Sequence, residues 1–156
     1  MTRPRVLIFS LAYFPFVGGA EVAVREITDR LTEFDFDLIT VNLDGQQKPT
    51  EKIGNVSVYR LNHKYFFPFS AYRFAAKLHS QKNYNVVWAI MVNQAGIAGA
   101  LFRRHFPAVP FLLTLQEGDE LTSFSYRLRL LAPRFFKVFR RADQIRQAFL
   151  DPDAAR

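Results

Sequence analysis

Val86-Val87-Trp88-Ala89-Ile90-Met91-Val92 is apolar at every position. A strand with one wet face alternates polar and apolar residues, so a run without alternation reads as a strand covered on both faces, like the inner strands of parallel sheets. Four more apolar runs lie outward from it: Arg5–Phe9, Phe36–Val41, Val56–Leu61 and Phe111–Leu115. Longer stretches with helical patterning separate them. Strands alternating with helices predict an α/β fold, a single Rossmann-like, doubly wound domain with a mostly parallel sheet.

The first helix is expected from about Ala20 to Leu31, with Ala20, Val24, Ile27 and Leu31 on its buried face and Arg25, Asp29 and Arg30 in water. A second is expected from Ser70, as N-cap, to about Gln81. Ala71, Phe74, Ala75 and Leu78 would point inward, and His79 would be exposed near its end. A third opens after Asn93, where Gly96, Ala98, Gly99 and Ala100 allow close packing on the sheet. It ends at Arg103-Arg104-His105, charges that suit a helix C-terminus, with Pro107 as the stop. His105 is then a capping or surface residue. Asp44 to Thr50 has loop composition.

With 156 residues, 49% of them hydrophobic, the chain is the size of one domain with a two-sided core. The domain is expected over residues 1–146, followed by a poorly ordered tail over 147–156. No apolar run is long enough to span a bilayer. Arg3, Arg5, the run Val6–Leu11 and the following glycines imitate a signal peptide, but Pro15 interrupts them, and the segment reads as the first buried strand. The chain has no cysteine, which excludes disulfides and suits a reducing cytosol. His63, His79 and His105 stand apart, and no grouping has metal-ligand spacing, so no metal site is expected.

Formal charge is +7, and its distribution is uneven. Six of the 21 basic residues, Arg127, Arg129, Arg134, Lys137, Arg140 and Arg141, fall between Leu121 and Arg141 with no acid among them, leaving 15 bases against 14 acids elsewhere. On a helical wheel Leu128, Leu131, Phe135, Val138 and Phe139 lie opposite Arg134, Lys137, Arg140 and Arg141, a basic amphipathic pattern. It reads either as an ordinary helix with a solvated basic face or as a contact for an anionic membrane surface. Tyr65-Phe66-Phe67-Pro68-Phe69 and Tyr72 add aromatic character to the second reading. No recognition motif accompanies the charge, so nucleic acid is not an expected partner.

In open parallel sheets, ligands bind beyond the carboxyl ends of the strands, where loops converge and helix N-termini present free amides. Three polar clusters occupy such places: Leu11 to Glu21 with the pair Gly18-Gly19, then Asn93-Gln94, then Gln116-Glu117-Gly118-Asp119-Glu120. Gly18-Gly19 has a physical use, since backbone without side chains lets a phosphate or sugar approach the positive end of a helix. It also occurs as a plain turn. Neither Gly-x-Gly-x-x-Gly after the first strand nor a Gly-Lys-Ser/Thr loop is present, which lowers dinucleotide and P-loop readings. A flavodoxin-like regulatory domain would need an acidic cluster at the end of the first strand, which is missing.

Arg5-Val-Leu-Ile-Phe-Ser followed by Tyr13-Phe-Pro-Phe-Val-Gly-Gly-Ala-Glu21 resembles the opening strand, glycine loop and first helix of family-four glycosyltransferases of the GT-B fold. Pro110-Phe-Leu-Leu-Thr-Leu-Gln-Glu-Gly-Asp-Glu120 is similar to the strand and loop where many members carry a histidine and a glycine. Arg140-Arg-Ala-Asp-Gln-Ile145 is similar to the strand leading to their interdomain linker. The resemblance implies the N-terminal, acceptor-side half of a two-domain enzyme that transfers a sugar from a nucleotide-sugar to a glycan or lipid-linked acceptor. No cofactor would be tightly bound. Gly18, Gly19 and Glu21 would border the donor phosphate and transferred sugar; Asn93, Gln116, Glu117 and Asp119 would form the acceptor-side rim.

Gln116 stands where relatives have histidine. It orients a hydroxyl rather than exchanging a proton, so no catalytic residue is named. A C-terminal donor domain, supplied in cis or in trans, is expected as partner, and the chain is expected to be inactive alone. The alternative is a non-catalytic module that binds a sugar, a phosphate or a partner domain. Location is expected in the cytoplasm, peripheral on the inner face of the cell membrane.

Overall fold

The structure is a computed structural model and describes residues 3–91, 93–115 and 144–147. Its elements in chain order are β1 (Arg5–Phe9), α1 (Gly19–Arg30), β2 (Asp35–Val41), β3 (Thr50–Ile53), β4 (Val56–Leu61), α2 (Phe67–Lys82), β5 (Val86–Ile90), α3 (Gln94–His105), β6 (Phe111–Leu115) and β7 (Gln144–Gln147). The strands form one sheet in the order β3-β4-β2-β1-β5-β6-β7. Every neighbouring pair is parallel except β3 with β4. This α/β arrangement, with a mostly parallel sheet and helices on both faces, is consistent with a Rossmann-like fold.

Alternation along each strand supplies two cores. Leu7, Phe9, Ile39, Val41, Val87, Ala89, Phe111 and Leu113 face α2 and α3, where Phe67, Ala71, Ala75, Ala98 and Phe102 complete the packing. Val6, Ile8, Phe36, Leu38, Val56, Val58, Trp88 and Ile90 face the other way, with Ala20 and Val24 of α1. The small residues of α3 do what their size suggests. A Cβ on Gly99 would lie 2.6 Å from the Phe111 ring and 3.2 Å from Ala89 Cβ, so the helix approaches the sheet as closely as bare backbone permits.

Five expected strands lie where the apolar runs placed them, with β5 two residues shorter. Met91 has φ 71°, the left-handed region, so the chain leaves the sheet there while its N–H still bonds Thr114 O at 2.9 Å. β3 lies in and beyond the stretch expected as loop. It is an exposed edge strand joined to β4 through Gly54 at φ 57°. β7 extends through Gln147, one residue past the expected boundary.

Three helix expectations need correction. In α1 the buried residues are Ala20, Glu21, Val24 and Thr28, whereas Ile27 is 42% and Leu31 37% exposed. The helix is rotated because the β3–β4 turn grips its far end: Asn55 Nδ2 donates to Thr28 O, Leu31 O and Phe34 O at 3.1, 3.4 and 3.5 Å. α2 starts at Phe67, and Ser70 lies inside its first turn, its hydroxyl donating to Phe66 O and Phe67 O. Buried Phe67 and Pro68 set the start instead, proline being favoured in a helix's first turn. His79 is half-buried rather than exposed: its ring packs against Tyr84, Phe102 and Phe106, and Nδ1 accepts the Tyr84 N–H at 3.0 Å.

Candidate functional site

Strand order reverses between β1 and β5. From β1 the chain passes through α1 to β2 on one side, and from β5 through α3 to β6 on the other. Open α/β sheets leave their ligand crevice at such a switch point, outside the carboxyl ends of the strands. The N-terminus of α1 and that of α3 therefore flank this place from opposite faces. The sequence's first two rim clusters, Leu11 to Glu21 and Asn93-Gln94, are brought to one edge. Gln116, Glu117 and Asp119 lie outside the described residues, as do Arg134, Lys137, Arg140 and Arg141.

The two helix ends differ. At α3, Asn93 is the N-cap, and its Oδ1 accepts the Ala95 N–H at 2.8 Å, closing one free amide. At α1, Gly18 is the N-cap and has no side chain to accept anything. The first intrahelical bond runs from Val22 N–H to Gly18 O at 3.3 Å. The amides of Gly19, Ala20 and Glu21 precede it and have no partner within the helix. Above Gly19 there is room, since a Cβ built there meets nothing within 4 Å. Neither glycine needs its conformational freedom: Gly18 has φ −119°, and Gly19 is helical. What they contribute is access.

Glu21 turns inward and is only 8% exposed. Its Oε2 accepts the Gly18 N–H at 2.7 Å, the returning half of a capping box. A carboxylate thus already sits at the positive end of α1, which weakens that end's attraction for a second anion. The geometry suits neutral hydroxyls better than it suits a phosphate. Across the switch point, Gln94 Oε1 is a buried acceptor with no partner among the described residues.

One residue of this edge gave no sign in the sequence. Arg60, at the carboxyl end of β4, has a side chain only 2% exposed. Its Nη2 donates to Phe14 O at 2.6 Å and Nη1 to Lys48 O at 3.1 Å, and it pairs with Glu51. The Arg25 guanidinium lies 4.8 Å from the centre of the Phe14 ring. The loop carrying Gly18-Gly19 is therefore pinned at Phe14 from two sides. Beneath it Tyr13 is 2% exposed; burial first, then the Asp29 charge, push its hydroxyl pKa up to about 12. A signal for Arg60 would have been an arginine at the end of a strand with an acid, Glu51, across the hairpin.

Met91 belongs to this edge too. A methionine at φ 71° costs about 1–2 kcal/mol of backbone strain, and such strain concentrates at functional edges. Among the described residues no group of His, Asp or Glu has the arrangement to hold a metal ion. None of their helices is long and apolar enough to cross a membrane. No protein-family model matches the chain, and no curated protein matches it in sequence.

Proposed function

We propose that the chain forms the acceptor-side wall of a nucleotide-sugar-dependent glycosyltransferase of the GT-B kind, transferring a sugar to a glycan or lipid-linked acceptor. One observation carries it: at the switch point the N-terminus of α1 is left without a side-chain cap, with open space over Gly19 and a rigidly held loop in front of it. The three first-turn amides without a partner in the helix, and the Gln94 oxygen without one among the described residues, offer donors and an acceptor for sugar hydroxyls. The glycine-loop resemblance supports the same assignment, with Gly18, Gly19 and Glu21 nearest the transferred sugar and Asn93, Gln116, Glu117 and Asp119 towards the acceptor. A donor domain, in cis or in trans, would hold the nucleotide-sugar and supply the opposing wall.

A non-catalytic sugar-binding module is favoured by one specific fact. Glu21, the carboxylate beside the glycine loop, is already committed to the Gly18 amide and is not free to act as an acid or base.

Titrating isotope-labelled protein with methyl glycosides and nucleotide-sugars tests the site. Glycosides are expected to move the amide resonances of Gly18, Gly19 and Ala20, and Gly19→Val is expected to abolish the shifts. If no sugar moves those amides, the site assignment fails. The 156-residue chain is expected to show no transfer unless a donor domain is supplied. Turnover by the chain alone contradicts the half-site reading, and failure of every donor domain to restore transfer favours the binding module.

A further inference from the structure

The connection between β4 and α2 presents its aromatics in two directions. Phe67 and Pro68 are buried, anchoring the start of α2, while Tyr65, Phe66 and Phe69 are 89%, 71% and 55% exposed. These three are not on a loose loop. Phe66 O accepts the N–H groups of Phe69 and Ser70 at 3.1 and 3.0 Å and the Ser70 hydroxyl at 3.2 Å. The corner is a tied first turn that holds large apolar side chains in water, at an energetic disadvantage unless something covers them.

Charge says what covers them. Between Glu51 and Glu117 the sequence contains no aspartate or glutamate at all. Lys64 precedes the aromatics, and Phe69, Arg73 and Lys77 follow at i, i+4 and i+8 along the exposed face of α2. The first turn of α2 has no acid to offset its positive dipole end. Glu26, Asp29 and Glu33 lie on or just after α1, across the sheet. The β2 acids Asp35 and Asp37 are paired with Arg5 and with Lys82, the last residue of α2, at the far end of that helix from the corner. Exposed aromatics bordered by bases, with no carboxylate on the corner or on α2 itself, match the interfacial zone of an anionic bilayer: rings at headgroup depth and cations over the phosphates.

We infer that the β4–α2 corner, led by Tyr65, Phe66 and Phe69 and bordered by Lys64, Arg73 and Lys77, docks this protein on anionic lipid surfaces. The inference stands apart from the sugar-transfer proposal; the membrane face expected from the sequence was the basic segment around Arg134 to Arg141 with Tyr65–Phe69 and Tyr72 in support, and here the aromatic corner with its own bases is the docking surface.

The test is sedimentation of the 156-residue chain with vesicles of phosphatidylcholine alone and of phosphatidylcholine mixed with phosphatidylglycerol. Binding is expected to the mixed vesicles and to weaken as salt rises. The pair Phe66→Ser and Phe69→Ser is expected to lower it at least about tenfold, and Lys64→Gln or Arg73→Gln by about fivefold each. All four positions are solvent-facing, so unchanged thermal melting verifies the fold. A tryptophan at the corner, Phe66→Trp, is expected to blue-shift in emission on adding mixed vesicles, against the fixed background of buried Trp88. Absence of binding, binding unchanged by the Phe66 and Phe69 substitutions, or an unshifted reporter overturns the inference. So does a self-associated chain that the same substitutions convert to monomer, which makes a second copy the occupant.

Discussion

The guanidinium of Arg60 donates to the carbonyl oxygen of Phe14 at 2.6 Å across 46 residues of sequence, fastening the glycine-bearing loop to the end of β4. Arg60→Met would leave Phe14 O and Lys48 O without their donor and Glu51 without its pair. The expected loss is about 3 kcal/mol, measured by urea denaturation. Hydrogen exchange of the amides from Tyr13 to Val17 should accelerate more than that of the sheet. A loss under about 1 kcal/mol with unchanged exchange would mean the loop is held by other means.

Asp37 is 5% exposed and accepts from Lys82 Nζ at 2.8 and 2.9 Å and from Tyr84 OH at 2.6 Å. Burial works against the Lys82 ammonium, but its hydrogen bonds to Asp37 and Tyr59 outweigh that, and its pKa is raised. Burial, then Asp37, hold the Tyr84 hydroxyl protonated. Lys82→Met strands a buried carboxylate and should cost about 3 kcal/mol, while Tyr84→Phe should cost about 1 kcal/mol. The double change Asp37→Asn with Lys82→Met should cost less than Lys82→Met alone. A strictly additive cycle would show that the pair is not coupled.

The glycines divide by what surrounds them. Gly99→Ala forces a methyl into Phe111 and Ala89 and is expected to destabilise by about 1–2 kcal/mol despite the gain in helix propensity. Gly19→Ala enters open space, and stability should be unchanged or higher by up to about 1 kcal/mol. Thermal melts of the two variants should move apart. If Gly19→Ala proves as damaging as Gly99→Ala, the space over α1 is not open.

Burial lowers the pKa of His79 below its ordinary value of 6.5, and Nδ1 already accepts the Tyr84 N–H. The unfolded chain therefore takes up this proton at higher pH than the folded one. The contribution of His79 to stability is complete above about 6.5 and is lost as pH falls below it through the folded pKa. Denaturation midpoints measured from pH 7.5 down to about 5.5 should decline in the natural protein and stay flatter in His79→Gln, which does not titrate. Parallel curves for the two would remove His79 as the cause.

Strands covered on both faces were legible because apolar residues dominate them: β1 and β6 run between the residues that composition suggests, and β4, which alternates buried with half-buried positions and carries Ser57 and Arg60, also has its expected ends. β3 was not, because Thr50-Glu51-Lys52-Ile53 at an exposed edge carries the polarity of a loop. Gly54-Asn55 between two β-prone runs was the available hairpin signal. For α1, the set Ala20, Val24, Ile27, Leu31 and the set Ala20, Val24, Thr28 share two members, and hydrophobicity favoured the wrong one. The choice is made by Asn55 and by Glu21 folding back on Gly18, contacts that no periodicity contains. The glycine loop and Asn93 were visible as a rim, yet the clamp at Arg60 and the strained turn at Met91 depend on tertiary distances.

The grip of Asn55 also ties α1 to a part of the chain made after it. Its amide reaches Thr28, Leu31 and Phe34 from 27, 24 and 21 residues downstream. The last turn of α1 closes on its own backbone, Leu31 N–H to Ile27 O, but a nascent chain that has just emitted α1 leaves the carbonyls of Thr28, Leu31 and Phe34 to water. Their Asn55 partner, which holds Thr28 rather than Ile27 against the sheet, arrives only with the β3–β4 hairpin. Until then Ile27 and Leu31 compete for the inner face, making this stretch a natural candidate for late locking in the folding of the domain.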